Sequence, residues 1–242
     1  MTLSKLLGVL ILLRLLLLDG NSLMHRAYYA LPALTTANGT PTNAVYGFMM
    51  MVNRLASDFR PDYWVVAFDL PAPTFRHEEF TEYKSNRMKT PEDLQVQFPV
   101  LKNLLKAYGI SFIELSGFEA DDLIGTTAIY AGKQGIETII VTGDRDALQL
   151  IRDNIKVLMT RKGITDVQLF DREKVFETYG IWPEQVADWK GLVGDVSDNI
   201  PGVPGIGEKS ATQLLQEFSS LDNLFASVEK VSKEKLRMLL KN

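Results

Sequence analysis

Residues 13–31 read LRLLLLDGNSLMHRAYYAL. Four consecutive leucines run up to Asp19, and a glycine and polar residues then open a helical pattern. A short unbroken apolar run closed by a turn signal is the pattern of a strand buried on both faces, as in a parallel sheet. A rival reading takes the whole greasy stretch 3–18 as a membrane segment. Arg14 inside it would cost about 2.5–3.5 kcal/mol near a bilayer centre, and the uninterrupted part falls short of the ~20 residues a span needs. Asp19-Gly20-Asn21 follows instead of a small-residue cleavage site. The stretch therefore predicts a strand over 13–18. The leader 1–14 stays open between an additional helix and a misplaced start.

The same alternation continues outward. Apolar runs of strand length lie at Tyr63–Phe68, Ile110–Leu115, Thr138–Thr142 and Ile155–Met159, with a further extended piece at Val167–Phe170. Helical patterns fill about 22–31, 42–58, 91–107, 119–132, 145–151 and 172–179. The helix near 91 has Thr90 as expected cap, Pro91 at its first position and Glu92 and Asp93 in the first turn, and Pro99 predicts a kink. Strand–helix alternation implies an α/β fold, a mostly parallel central sheet flanked by helices. From about 183 the pattern becomes purely helical. This divides the chain into an α/β core over 1–180 and a helical region over 181–242. With 242 residues, 46% apolar and no cysteine, the chain is neither wholly disordered nor a disulfide scaffold, and has no thiolate metal site.

The acids are concentrated. Asp19 ends the first strand and Asp69 the second. Glu119, Asp121 and Asp122 follow the third in GFEADDL, and Asp144 and Asp146 follow the fourth in VTGDRD. The carboxyl ends of parallel strands form the ligand crevice of such a sheet, so seven acids arrive at one edge. Asp195 and Asp198, in GDVSDN, come from the helical region and can close over it. Singly, each is an ordinary cap or turn residue. Together they repel and raise one another's pKa values unless cations share the space. Hard oxygen donors point to Mg²⁺ or Mn²⁺, and two such ions about 3.5–4 Å apart suit phosphodiester hydrolysis. Setting the nine acids aside turns a formal net charge of −4 into +5, so the rest of the chain is basic.

Two further stretches carry chemistry. In 70–90, a helical middle would place Arg76, Phe80, Tyr83, Lys84 and Arg87 on one face, cations for phosphates and rings for bases. His77 and His25 are not needed by that chemistry and are expected at the surface or as contact residues. In PGVPGIGEKSA, 201–211, closely spaced Gly202, Gly205 and Gly207 precede a helix, with Lys209 in its first turn. Backbone amides and a helix N-terminus can meet a phosphate there. Gly207 is expected to allow close approach or a positive φ. The Walker A order is absent, and the turn resembles the helix–hairpin–helix class.

Taken in order, DGNSLMHRAYYAL, VVAFD, FRHEEFTEYKSNR, GFEADDLIGT, VTGDRDALQL and GLVGDVSDNIPGVPGIGEKSA resemble the 5′-nuclease (flap endonuclease) family, most nearly the N-terminal 5′→3′ exonuclease domains of bacterial DNA polymerase I. The likeness runs from about 15 to at least 225. It implies a PIN-like fold and a metal-dependent, structure-specific 5′→3′ exonuclease or flap endonuclease. Asp19, Asp69, Glu119 and Asp121 would favour one metal, and Asp122, Asp144, Asp146, Asp195 and Asp198 a second. Lys84 and Arg87 would be the catalytic cations of a helical arch, 70–90, through which the 5′ strand passes. The 202–207 turn would grip duplex and hold K⁺. Implied partners are DNA with a 5′ flap, nick or free 5′ end and RNA primer–DNA hybrids, and the implied state is a cytoplasmic, nucleoid-associated bacterial monomer without a membrane partner. The leader is longer and greasier than this resemblance leads one to expect, and Asn242 falls before the expected end, as in a fragment of a polymerase or a short stand-alone nuclease. The rivals are a related acidic-site RNase, which lacks the helical region, an aspartyl-phosphate phosphatase, which needs Asp-x-Asp where this chain has Asp19-Gly20-Asn21, and a non-catalytic junction binder.

Overall fold

The computed structural model describes residues 12–163 and 165–241. The leader reading falls almost wholly on residues 1–11, outside them. Among the described residues no helix is long and apolar enough to cross a membrane.

β1 (Arg14–Asp19), β2 (Tyr63–Ala67), β3 (Ser111–Ile113), β4 (Glu137–Thr142), β5 (Ile155–Lys162) and β6 (Asp166–Phe170) form one sheet in the order β3-β2-β1-β4-β5-β6. All pairs are parallel except β5–β6. The leucine run has a direct cause. Side chains alternate along a strand, so Leu15 and Leu17 enter one apolar layer and Leu16 and Leu18 the other. The second layer is covered by α1 (Gly20–Ala30) and α2 (Asn43–Phe59). The first is covered by α6 (Ala120–Lys133) and by the helices beyond residue 180. Leu192, Ile206, Leu214 and Leu215 share that layer with Leu15 and Ile140, so the helical region is welded to the sheet by common apolar burial.

The chain winds from β1 through β2 to β3 on one side, then returns to β4 and β5 on the other. The switch point lies between β1 and β4, where Leu18 pairs with Val141. Ligand crevices form at such a point, at the carboxyl ends of the strands.

Several expected boundaries move. The helix over 91–107 divides into α4 (Glu92–Gln95) and α5 (Gln97–Ala107), with Pro91 rather than Thr90 at the cap position. Pro99 causes the break one turn upstream. Its ring excludes a helical carbonyl at Gln95, while its missing N–H costs nothing in the first turn of α5. Residues 145–150 form a 3₁₀ turn instead of an α-helix. The region after 183 is not purely helical: β7 (Gly194–Asp195) and β8 (Ile200–Pro201) make a two-stranded hairpin after α8 (Val186–Val193). Its close approach requires glycine, because a Cβ on Gly202 would lie 2.2 Å from the Val193 carbonyl carbon.

α2 lacks a side-chain cap from Thr42. Gln97, fully buried, supplies it from α5: its Oε1 accepts from the Ala44 and Val45 amides at 2.8 and 3.2 Å, and its Nε2 donates to Asn43 and Asp93. Gln97→Leu keeps the volume and orphans two buried amides. It should cost about 2–3 kcal/mol, read as a lower urea midpoint at unchanged slope. A midpoint equal to wild type would show that the cap contributes nothing.

Candidate metal and phosphodiester site

The strand ends deliver their acids as the fold requires, and local hydrogen bonds then aim them. Asp19 caps α1: one oxygen accepts the Ser22 amide at 2.9 Å, and the other accepts the Thr142 hydroxyl across the switch point at 2.7 Å. Asp69 accepts the Ala120 amide at 2.7 Å, and Asp144 the Asp146 amide at 2.9 Å. Capping and site-building are the same act here. One oxygen satisfies a backbone donor and thereby fixes the direction of the carboxylate.

Asp19, Asp69, Glu119, Asp121, Asp144 and Asp195 line one cleft of about 1180 Å³. Burial raises Asp121 to about 8, with the charges of Asp19, Asp144 and Asp69 adding to the effect. Burial likewise raises Asp19 to about 6. Asp146, Asp195 and Asp198 form a neighbouring group whose carboxylate oxygens lie within 4.8 Å of one another. Burial raises Asp146, and the charge of Asp144 raises it further, so Asp144 couples the two groups. These acids fit hard divalent cations: they are convergent, carry only oxygen donors and cannot all ionise without compensating charge. Oδ1 of Asp146 is buried and has no aligned hydrogen bond, although Lys190 lies against it.

Protein cations fill part of the need. Lys190, which no sequence spacing singled out, bridges Asp146 and Asp195. Burial works against the ionised form of Asp195, but Lys190 and Ser197 hold it down at about 2. Lys84 Nζ meets Glu119 at 2.8 Å, and Arg87 meets Asp198 at 2.5 Å. Arg76 grips Asp122 with two bonds of 2.8 Å and holds its carboxyl below the usual range. Asp122 also accepts the Glu119 amide and stands outside the cleft lining.

The expected cationic stripe is not one helical face. α3 covers only Phe75–Glu79, and turns carry 81–86. Lys84 sits at φ +56 with its amide donating to the Asp198 carbonyl. Tyr83 is buried rather than offered to a base. Its hydroxyl reaches Glu119 and Asp198 at 3.0 and 3.1 Å, and burial first, then those two charges, raise its pKa. Phe80 is exposed. Asn86 and Asn199 complete the closure, donating to the Val196 and Glu82 carbonyls. Residues 82–87 are thus clasped to 196–199 over the cleft. His25 is half-buried and lines the cleft; burial, followed by Arg87, lowers its pKa. His77 packs on the Tyr83 ring at 5.3 Å.

At the glycine-rich turn the positive φ belongs to Gly205, at +85. Gly207 has φ −101 and caps α9 (Glu208–Phe218), and a Cβ there would meet nothing within 4 Å. The conformational reason expected at Gly207 is therefore absent. Its exposed backbone and the exposed Lys209 stand open at the helix start.

Comparison with known proteins agrees with this architecture. The family model for the N-terminal resolvase-like domain of 5′-3′ exonucleases matches residues 14–180, and that for their C-terminal SAM fold matches 181–242. The chain is 51% identical over 224 residues to DNA polymerase I of Bacillus subtilis (strain 168), covering 93% of this chain and 26% of that protein. It is 50% identical over 228 residues to DNA polymerase I of Bacillus caldotenax, covering 94% and 26%. The chain thus spans about a quarter of the length of these relatives. T5 5′-exonuclease with bound zinc superposes with a TM-score of 0.76 at 24% identity, over 94% of this chain and 83% of that one. The catalytic core of Rad2 in complex with DNA substrate gives 0.62 at 19%, over 99% and 78%. At these identities the two likenesses speak for the fold alone.

The raised carboxyls make a prediction for the metal-free protein. Asp19 and Asp121 hold protons in the folded state that the unfolded chain releases near pH 4. Their contribution to stability is therefore complete at low pH and lost as pH rises through about 6 and 8. In EDTA, stability should fall by up to roughly 5 kcal/mol between pH 5 and 9, about 1.4 kcal/mol for each unit by which the two carboxyls lie above pH 5. Asp121→Asn should flatten the upper part of that curve, and millimolar Mg²⁺ should raise Tm more at pH 8 than at pH 5. A flat curve in EDTA would show that neither burial nor mutual repulsion holds protons on these carboxyls.

Proposed function

Because the chain belongs to the 5′-3′ exonuclease family, we propose that it is a divalent-metal-dependent, structure-specific 5′-nuclease. It would hydrolyse phosphodiester bonds of DNA, and of RNA primers paired to DNA, near a 5′ flap, nick or free 5′ end, leaving 5′-phosphates. The observation that carries this reading is the pair of coupled carboxylate groups at the switch point, roofed by cations on a strap that springs from the same edge.

In a division that differs from the one the resemblance implies, Asp19, Asp69, Asp121 and Asp144 would hold one ion, since Asp144 acts on Asp121, and Asp146, Asp195 and Asp198 a second. Glu119 and Asp122, engaged by Lys84 and Arg76, would support them; Mg²⁺ or Mn²⁺ suits these oxygen donors. Bound there, divalent ions supply charge neutralisation on the phosphate and a more acidic attacking water. The chain's own part is separable. Lys84 and Arg87, now paired with Glu119 and Asp198, would exchange those carboxylates for the scissile phosphate and stabilise the charge that develops on it. Arg76 would keep Asp122 and the start of α6 in place, and Tyr83 would brace Glu119 against Asp198. Phe80 remains available to stack a base of the 5′ strand.

Gly202, Gly205, Gly207 and Lys209 would grip the duplex as a helix–hairpin–helix-type turn, with K⁺ seated over 202–207 and residues 181–242 acting as the duplex-holding unit. A cytoplasmic, nucleoid-associated monomer fits such a substrate. A non-catalytic junction binder is disfavoured, because nine acids facing a phosphate backbone repel it unless cations are held.

Cleavage of a labelled 5′-flap substrate with and without Mg²⁺ tests the reading. Asp144→Ala should nearly abolish cleavage and leave flap binding equal or tighter; turnover near wild type would remove the metal assignment. Lys84→Ala should lower the single-turnover rate at least ~10-fold and spare binding of duplex without a free 5′ end. Weakened duplex binding at an unchanged rate would instead make the strap a general DNA surface.

Gly207→Val and Lys209→Ala should raise KM for the flap while sparing the single-turnover rate at saturating enzyme. Because a Cβ at Gly207 has open space, Tm should not change. Unaltered KM in both variants would take the duplex-holding role from this turn.

A further inference from the structure

Five side chains with fixed positive charge line the cleft: Arg26, Lys84, Arg87, Arg145 and Lys190. Four are committed to partners. Lys84, Arg87 and Lys190 are paired with site acids, and Arg26 donates to the Thr160 and Arg161 carbonyls at 3.1 and 2.7 Å. Arg145 stands between Asp144 and Asp146 in sequence yet pairs with neither. It is exposed, and its guanidinium lies 5.8 Å from the centre of the Tyr179 ring. Among the described residues it has no ion pair and no side-chain hydrogen bond.

That isolation has a structural cause. Tyr179, the last residue of α7 (Arg172–Tyr179), is stacked at 6.3 Å and 22° on Phe170, which is buried in the core. The ring is thus a fixed platform. A guanidinium resting on a ring face is oriented without using any of its five N–H donors. The 3₁₀ turn that Arg145 opens does not need its side chain, since Asp144 already caps that turn. What remains is a pre-aimed, unneutralised fork with donor geometry suited to a phosphate.

Its place in the cleft identifies which phosphate. Tyr179, Ile181, Trp189 and Glu208, the first residue of α9 after the glycine-rich turn, line the same cleft, and the 3₁₀ turn that Arg145 opens packs against α8, which in turn packs against α9. Arg145 therefore adjoins the carboxylate edge through Asp144 and Asp146 and sits on a turn that is linked through α8 to the helix following the 201–211 turn. We propose that Arg145 binds a backbone phosphate of the nucleic acid between the scissile bond and the stretch held at 201–211. The inference rests on the nuclease reading above. It adds a contact that sets where the duplex lies relative to the acids and that needs no ion-pair exchange to form.

The test uses the full chain and a fluorescent 5′-flap duplex. Binding is measured with Ca²⁺ in place of Mg²⁺ across a range of KCl concentrations, and single-turnover cleavage in Mg²⁺. Arg145→Ala should weaken binding about 5- to 10-fold at low salt and flatten log K against log salt by about 0.9, one phosphate's worth. Arg145→Lys should restore the slope. The single-turnover rate at saturating enzyme should stay within about twofold and Tm should not move, since no hydrogen bond is lost. If wild type binds and cuts while Arg145→Ala keeps its salt slope and affinity, the inference fails and the nuclease reading stands. A lower Tm with an unchanged slope would make Arg145 structural and overturn it equally. If wild type neither binds nor cuts the flap, the nuclease reading falls and this inference falls with it.

Discussion

At the point where β1 and β4 part, the Thr142 hydroxyl donates to Asp19 while the Ser22 amide donates to its other oxygen. This buried carboxylate is the fixed centre about which the others gather. Burial first, and then the charges of Asp69 and Asp144, raise both Asp19 and Asp121, so the two resist ionising together. Repulsion among acids brought to one edge by a parallel sheet is the constraint on which the rest of the site depends. It explains why the strap folds down, why Lys190 bridges two helical-region acids, and why hard divalent cations fit.

The strap shows how that constraint is met by protein charge alone. Lys84 and Arg87 take Glu119 and Asp198, and the left-handed backbone at Lys84 and Asn199 marks where the two segments are drawn together. Each ion pair is a partly buried contact whose Coulomb gain is offset by desolvation, so an anionic substrate can compete for the cation. Arg145 differs because a ring, not a carboxylate, sets its direction.

The helical region is part of the site's geometry and not an appendage. Its apolar residues complete one layer of the sheet, and its Asp195 and Asp198 complete the second carboxylate group. Loss of packing around Leu192 or Leu214 would therefore be felt at the acids.

The α/β grammar was legible in the residue pattern, because a strand buried on both faces must be apolar at every position, as Leu15–Leu18 are. Asp19, Asp69 and Asp144 could be placed at the edge too, because each stands at or within two residues of a strand end, whereas Asp122 lies outside the cleft and Asp195 arrives from the helical region. The family motifs were legible as well, being contiguous strings. Tertiary structure alone decided the partners. Lys190 meets Asp146 across 44 positions of chain, and Gln97 caps a helix that begins 54 positions earlier, at Asn43; no local period encodes either. The strap was misread as a helical stripe because the spacing of Arg76, Tyr83, Lys84 and Arg87 fits a helix. The attraction of three carboxylates, Glu119, Asp122 and Asp198, favours turns that bring those side chains and their backbone down to the acidic edge. Gly207 was misread for the same reason in reverse: a glycine string shows that freedom is needed, and only the folded backbone shows that Gly205 uses it.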